Sequence, residues 1–294
     1  MCAPDSSPGS WVWIWMWRTE MAYKRILTIQ DISCVGQCSM TVALPILSAC
    51  GHECCILPTA LLSTHTGGFG RPVVTHLTDT ADAMADHWKR AGITFDAIYT
   101  GYLGSIPAIE AADRICRSLL APGGVLIADP AMADHGKLYS GLDESYAKAM
   151  EAFCRRADVI LPNLTEAAMM ASLPCPESAE KTDIPQLLKK LDHRCVVLTG
   201  VGTSPEETGA TIWQDGRLTF ASHPRLSGSY HGTGDIFASA FVGALMQERT
   251  PEKAAQIAGR FTCECIRQTL EKPAHWYGVK FEAALPELIR LLQA

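Results

Sequence analysis

Short apolar runs alternate with longer helical patterns along most of the chain. The apolar runs are typical of strands, and the segments between them are typical of helices. Strands are predicted at Arg25–Gln30, Glu53–Thr59, Ala97–Gly101, Val125–Asp129, Val159–Leu161 and Cys195–Thr199. Helices are predicted at 38–50, 79–91, 107–120, 144–156, 165–171 and 183–191. Strands that alternate with helices in this way predict an α/β fold with a mostly parallel sheet.

The pattern changes near Gly202. Two further strands, Gly209–Gln214 and Arg217–Ser222, flank the pair Asp215-Gly216, which is a strong signal for a hairpin turn. Only helices are predicted after the hairpin, near 235–248, 251–270 and 283–293. Because no linker or break in composition divides residues 21–294, a single domain is predicted there.

The first twenty residues differ from the rest. Residues 1–10 are polar and turn-forming, and Trp11–Trp17 contains four of the seven tryptophans. This segment lacks the basic start, the long apolar stretch and the cleavage site of a signal peptide, and it is too short to span a membrane. Residues 1–20 are therefore predicted to be an extension outside the fold, with an interaction or membrane-surface segment as the alternative.

Charge and cysteine usage narrow the class of protein. The 294 residues include 25 basic and 31 acidic side chains, a net charge of −6, whereas a nucleic-acid-binding protein is expected to have a basic surplus. The 12 cysteines are scattered among apolar residues, and Cys34 and Cys38 have no second pair to complete a zinc site. Reduced thiols are therefore predicted, which favours a cytoplasmic protein.

The most specific local feature is Gly232, Thr233, Gly234 and Asp235, followed by a helix rich in small apolar residues. Two glycines before a helix allow backbone N–H groups to point outward at the positive end of the helix dipole, which makes an anion site. Asp235 is then suited to take a proton from a hydroxyl group that attacks a phosphoryl group held by those amides. The alternative is an ordinary loop in which Asp235 only caps the helix.

Seven motifs follow one another within residues 22–270. They are Ile29–Ser33, Pro58–Gly67, Tyr99–Ser105, Asp129–Asp134, Leu161–Glu166, Val197–Gly200 and Gly232–Asp235. In this order they resemble the pyridoxal kinase branch of the ribokinase-like superfamily. The resemblance implies a three-layer α/β/α fold with a central, mostly parallel sheet. It also implies a homodimer that phosphorylates the 5′-hydroxymethyl group of pyridoxal, pyridoxamine and pyridoxine with ATP and Mg²⁺.

By position, the resemblance implies roles for individual residues. The expected catalytic residues are the base Asp235 and the anion hole Gly232, Thr233 and Gly234. The carboxylates expected to organise Mg²⁺, directly or through water, are Asp134 and Glu166. The expected ATP-binding residues are Asn163, Thr199, Gly200, Thr233 and Gly234. The expected substrate-binding residues are Asp31, Ser33, Thr59, His65, Thr66, Tyr102 and Asp235.

The chain departs from the family pattern at three positions. Asp31 stands where many pyridoxal kinases carry a serine, and a carboxylate there would favour the cationic amine of pyridoxamine by charge pairing. Ala133 stands where a glycine is common. Leu161 replaces a threonine found in some members, so a monovalent cation beside Mg²⁺ is left open.

Two other functions compete with this interpretation. A hydroxymethylpyrimidine kinase shares the fold and the Gly-Thr-Gly-Asp helix, but the polar segment Ser63–Gly70, interpreted as a mobile flap, and the motif Gly101–Ser105 favour a B6 kinase. A non-catalytic paralogue would bind a B6 vitamer or a nucleotide. The retention of Asp235 argues against it, because a pure binder needs no general base.

Overall fold

The computed structural model describes residues 22–176, 178–202, 204, 206–228, 230–270 and 275–294, so the predicted extension lies outside the described residues. Its strands are β1 Arg25–Ser33, β2 Glu53–Leu62, β3 Val74–His76, β4 Phe95–Thr100, β5 Leu120–Ala128, β6 Ala133–Asp134, β7 Lys137–Leu138, β8 Val159–Ile160, β9 Cys195–Val201, β10 Glu207–Gln214 and β11 Arg217–Pro224.

The helices connect these strands and end the chain. They are α1 Met40–Ala49, α2 Thr78–Arg90, α3 Ile106–Leu119, α4 Glu144–Cys154, α5 Leu164–Met170, α6 Ile184–Leu191, α7 Thr233–Met246, α8 Pro251–Leu270 and α9 Leu285–Gln293. Short 3₁₀ turns lie at Ala179–Lys181 and Glu282–Ala284. None of the helices in the described part of the chain is both long enough and apolar enough to cross a membrane.

Nine of the described strands form one sheet, in the order β11-β10-β9-β8-β5-β4-β1-β2-β3. The six central strands are parallel, namely β9, β8, β5, β4, β1 and β2. Strand β3 joins antiparallel at one edge, and β10 and β11 join antiparallel at the other. Alternate side chains of a strand point to opposite faces, so Ile26 belongs to the hydrophobic core that includes residues of α1, α7, α8 and α9, while Leu27 belongs to the core that includes residues of α2 to α6. This arrangement confirms the three-layer α/β/α fold and the mostly parallel sheet.

The structure differs from the predicted elements at several element ends, such as the start of β5 at Leu120 instead of Val125, and in three further respects. Strand β3 was not predicted, because its three residues are all exposed and show no alternation of buried and exposed positions. The short hairpin of β6 and β7 was not predicted either, since two-residue strands carry no periodic signal. Helix α1 starts at Met40 rather than at 38, because Ser39 has φ 51° and ψ −130°, which is not helical.

The parallel sheet gathers the ends of its strands at one edge. Ligands of open α/β sheets bind beyond the carboxyl ends of the parallel strands. In the sheet, β2 lies on one side of β1, and β4, β5 and β8 lie on the other side. The order of the strands therefore reverses direction at β1. The ends of β1 and β9, the segments that follow β2, β4, β5 and β8, and the start of α7 carry most of the predicted site residues.

Candidate functional site

The start of α7 has the backbone that the glycine motif predicts. Gly232 caps the helix with φ 80°, and a Cβ at this position would collide with the carbonyl oxygen of Gln37. Only glycine therefore fits here without strain. The first hydrogen bond of the helix runs from the Ile236 N–H to the Gly232 carbonyl, so the N–H groups before Ile236 have no partner within the helix. Gly234 is exposed, with open space where a side chain would stand.

Asp235 lies in the first turn of α7, half-buried and close to the loop after β1. Burial raises the pKa of the Asp235 carboxyl to about 7, and the nearby Asp31 carboxylate adds to the shift. The Ser39 backbone N–H donates a hydrogen bond to the Asp235 carboxylate and partly opposes it. A carboxylate with a pKa near neutrality is suited to accept a proton from a substrate hydroxyl group.

Asp31 lies on the same side of the site, near the end of β1. Its side chain is buried, and the Ser33 hydroxyl donates to Asp31 Oδ2 at 3.1 Å. Burial raises the pKa of Asp31. Burial also raises the pKa of the half-buried Tyr102, with a further contribution from the Asp31 carboxylate. The structure therefore brings Asp31, Ser33 and Tyr102 together, beside Asp235.

His65 is packed inside the loop between β2 and β3 and is only 5% exposed. The Gly67 N–H donates to His65 Nδ1 at 2.9 Å, and Nε2 donates to the Tyr277 carbonyl at 2.9 Å. Together these two bonds select the neutral tautomer protonated on Nε2. These bonds fix the orientation of the His65 ring, while the neighbouring Thr66 is exposed. The mobile flap expected for this segment stays a prediction.

Thr59 is not brought together with these residues. Its side chain is buried and lines a small space between the sheet and helices α2 and α3, with Ala81 and Ala108. Leu57 and Thr59 share one face of β2 because side chains alternate along a strand, and Leu57 belongs to the core under α2 and α3. The predicted contact between Thr59 and the substrate therefore has no support in its placement.

Glu166 joins the start of α5 to the loop after β5. In a capping box, the Glu166 N–H donates to Asn163 Oδ1 at 3.0 Å and the Asn163 N–H donates to Glu166 Oε2 at 2.9 Å. The N–H groups of Met132 and Ala133 donate to Glu166 Oε1 at 2.8 and 3.3 Å. Burial raises the pKa of Glu166 to about 7 despite these three bonds. Its carboxylate holds the loop that carries Asp134.

Two residues whose pKa is raised by the Glu166 carboxylate, Asp129 and Tyr139, were not among the predicted site residues. Burial raises the pKa of Asp129 well above its usual range, and the carboxylates of Glu166 and Asp235 raise it further. Burial also raises the pKa of Tyr139, and the nearby carboxylates raise it further; these are Glu166, Asp129, Asp134 and Asp235. Asp129 is the last residue of a predicted strand, which was a usable signal, whereas nothing in the sequence marked Tyr139. The cluster is a concentration of negative charge.

The donor set fits a magnesium ion that arrives with a nucleotide. Asp134 is exposed, and its Oδ1 accepts the His135 N–H at 2.8 Å. Both oxygens of Glu166 already accept backbone N–H groups, so this residue would act on the ion through water or by holding the Asp134 loop. Within the described residues, no group of three His, Cys, Asp or Glu side chains could hold a metal alone. Mg²⁺ usually takes one or two carboxylates with phosphate oxygens and water, which agrees.

The predicted ATP-binding residues lie where β8 and β9 end. Asn163 and Thr199 form a parallel bridge, and the Thr199 N–H donates to the Pro162 carbonyl at 2.9 Å. Gly200 follows with φ 73° and is exposed. The structure therefore places Asn163, Thr199 and Gly200 together at the same edge of the sheet as the carboxylate cluster.

Comparison with known proteins identifies the family. The family model described as phosphomethylpyrimidine kinase matches residues 47–279. The chain belongs to this family. A pyridoxal kinase from Lactobacillus plantarum has the same fold, with a TM-score of 0.85 and 31% identity over 91% of this chain and 97% of that one.

Two further relatives of this chain differ in the substrates that their names give. A protein of Bacteroides thetaiotaomicron, provisionally assigned as a phosphomethylpyrimidine kinase and crystallised with pyridoxal, has a TM-score of 0.84 and 35% identity over 90% of this chain and 95% of that one. The hydroxymethylpyrimidine/phosphomethylpyrimidine kinase of Bacillus subtilis is 28% identical over 201 residues, 67% of this chain and 71% of that one. The comparisons confirm the resemblance to pyridoxal kinases and the kinase class.

Proposed function

We propose that this kinase phosphorylates the 5′-hydroxymethyl group of pyridoxal, pyridoxamine and pyridoxine, with ATP as the phosphoryl donor. The observation that carries the proposal is Asp235, a half-buried carboxylate with a pKa of about 7 at the start of α7. Asp31, Ser33 and Tyr102 lie beside it and offer polar groups to a pyridine ring. Pyridoxal in the crystals of the Bacteroides relative supports the same substrate class.

The residues of the site divide the reaction between them. Asp235 takes the proton of the substrate hydroxyl as that oxygen attacks the γ-phosphorus of ATP in line with the leaving ADP. The backbone N–H groups of Thr233 and Gly234 face the transferred group and stabilise its charge. Asp134 would hold Mg²⁺, with Glu166 acting through water or by holding the Asp134 loop, and the ion when bound neutralises phosphate charge. The negative cluster needs such a cation before a polyphosphate can approach.

Hydroxymethylpyrimidine kinase is the second candidate function. It is favoured by the description of the matching family and by the Bacillus relative. Both candidates use the same base and the same anion site, so only the recognition of the ring separates them. A non-catalytic binding protein is disfavoured, because nothing in ligand binding alone calls for a carboxylate whose pKa is raised to about 7.

A substrate panel tests the proposal. ADP release would be followed with ATP, Mg²⁺ and, in turn, pyridoxal, pyridoxamine, pyridoxine and hydroxymethylpyrimidine. We expect kcat/KM to be higher for at least one B6 vitamer than for hydroxymethylpyrimidine. Turnover of hydroxymethylpyrimidine alone would establish the second candidate, and turnover of neither class would refute both.

A homodimer in the cytoplasm is part of the proposal. The eleven cysteines of the described residues are free thiols, which supports a reducing compartment. Strand β3 is an edge of the sheet, and Leu61, Val73 and Val74 expose apolar side chains there, which suits a second copy of the chain. Sedimentation of the wild type at twice the chain mass, and of Val73→Asp as a monomer, is expected. A monomeric wild type would contradict the dimer.

A further inference from the structure

The residues 275–282, called here the C-terminal strap, lie outside all seven sequence motifs but touch both halves of the site. The strap crosses the loop between β1 and α1 and is anchored there on Gln37. His275 Nε2 donates to Gln37 Oε1 at 2.6 Å, and Gln37 Nε2 donates to the Glu282 carboxylate at 2.7 and 2.9 Å. Both ends of the Gln37 amide are therefore bound by the strap. Gly278 packs so closely on Gln37 that a Cβ would lie 2.7 Å from its side chain.

Gln37 also touches the catalytic turn. Its carbonyl oxygen lies against Gly232, where it would collide with any side chain. Two residues further on, the Ser39 N–H donates to the Asp235 carboxylate. A displacement of Gln37 would therefore be transmitted directly to the base and to the glycine that starts α7.

The same strap reaches the substrate side of the site. The Tyr277 carbonyl accepts the hydrogen bond from His65 Nε2, and the Trp276 ring lies 4.7 Å from the ring of Phe69 in the His65 loop. Gly36, next to Gln37, packs against the His65 ring so tightly that a side chain there would overlap it. Both nitrogens of His65 are already bound, so the ring has its face rather than a nitrogen to offer to a substrate.

We propose that the C-terminal strap is a positioning element of the active site, and that Gln37 is the residue through which it acts. The strap fixes the His65 ring and the Gly232 turn relative to each other, so that the ring of the substrate and its attacking hydroxyl are held in register with the phosphoryl group. The inference rests on the proposed function, because it takes the His65 side to be where the B6 ring binds.

A reciprocal exchange at the Gln37–Glu282 contact tests the strap. Gln37→Glu places two carboxylates face to face and repels Glu282, whereas Gln37→Glu with Glu282→Gln restores a donor and an acceptor in exchanged positions. We expect Gln37→Glu to lower kcat/KM for pyridoxal by about 10- to 100-fold. The KM for ATP should change less than kcat/KM for pyridoxal, since Asn163, Thr199 and Gly200 lie at the ends of β8 and β9, away from Gln37. The double variant should recover most of the lost kcat/KM.

Two measurements separate this role from general loss of structure. Glu287→Gln, which breaks an exposed pair with Arg290 on α9, is the matched control and should leave kcat/KM for pyridoxal unchanged. The ¹⁵N chemical shifts of the His65 ring should report the Nε2–H tautomer in the wild type, lose it in Gln37→Glu and regain it in the double variant.

Different results would overturn the proposed role of the strap and the proposed function. A Gln37→Glu protein with wild-type kcat/KM for pyridoxal and an unchanged His65 tautomer would overturn the strap, as would a double variant that shows no recovery in either measurement. A wild type that turns over no B6 vitamer would refute the proposed function, and the His65 tautomer in the same variants would still decide whether the strap positions this ring.

Discussion

At the scale of single residues, Asp235 shows how burial makes a base. A solvated aspartate is too weak a base to be half-protonated near neutral pH. Its half-buried position at α7 raises the pKa of Asp235 to about 7, against the hydrogen bond from Ser39. The same burial has a cost for the fold, because the charged form is less well solvated in the native state than in the unfolded chain.

The free energy of unfolding should therefore depend on pH through Asp235. A carboxyl whose native pKa is raised stabilises the fold while it is protonated, and this contribution is lost as pH rises from about 4 to about 7. Asp235→Asn avoids the loss and should raise the free energy of unfolding at pH 8 by about 1 to 2 kcal/mol relative to the wild type. Near pH 4 the two proteins should be equally stable. Urea titrations at both pH values check this, and an Asn variant that is less stable at pH 8 would contradict it.

Asp31 should set the preference among B6 vitamers. Its carboxylate is buried beside the Ser33 hydroxyl, where the cationic amine of pyridoxamine could pair with it. We expect Asp31→Ser to lower the ratio of kcat/KM for pyridoxamine to that for pyridoxal by about 10-fold. Steady-state kinetics on both substrates provide the ratio, and an unchanged ratio would exclude Asp31 as the determinant.

Residues that lie in motifs or directly after strands could be predicted from the sequence. Asp235 and Gly232 are of this kind, because local spacing sets their chemistry, whereas Glu166 was predicted from the resemblance to the family. Tyr139 could not be predicted, since it meets the carboxylates only through a short hairpin that carries no periodic signal. Thr59 was predicted to be a site residue from its motif, although the alternation of side chains along β2 turns it towards α2 and α3.

At the scale of elements, the start of α7 depends on one glycine. Gly232 and Gly216 have nearly the same φ, 80° and 81°, but only Gly232 faces a neighbouring atom where a Cβ would stand. Gly216→Ala should lower the free energy of unfolding by about 1 kcal/mol, the usual strain of this backbone region. Gly232→Ala should lower it further and reduce kcat by at least about 10-fold, because Gln37 and the anion site must move. Equal effects of the two substitutions would contradict this role.

Helix α5 depends on Glu166 in a comparable way. Glu166→Gln replaces an oxygen that accepts backbone N–H groups by an amide donor, which leaves a buried N–H without a partner. The lost hydrogen bonds cost about 2 kcal/mol and oppose the gain from removing a buried charge at pH 8, so Glu166→Gln should raise the free energy of unfolding less than Asp235→Asn does. Glu151→Gln, which removes an i,i+4 pair with Arg155, is the control and should change it by less than about 0.5 kcal/mol. Thermal or urea unfolding of both variants checks the difference.

At the scale of the whole molecule, the alternation of strands and helices was enough to predict the parallel sheet and the edge on which the site lies. Local patterns could not predict contacts between distant segments. The strap meets Gln37 across 238 positions of sequence, through His275. Because such contacts depend on the folded topology rather than on spacing, they become visible only in the structure.

Asp235 is proposed to be the base of a B6 vitamer kinase. The most direct test is the single-turnover rate of pyridoxal 5′-phosphate formation at pH 8, measured for the wild type and for Asp235→Asn, with ATP affinity measured in parallel. We expect the wild type to form the product and Asp235→Asn to form it about 10² to 10⁴ times more slowly, with ATP affinity retained. An Asp235→Asn protein that forms pyridoxal 5′-phosphate at the wild-type rate would contradict it.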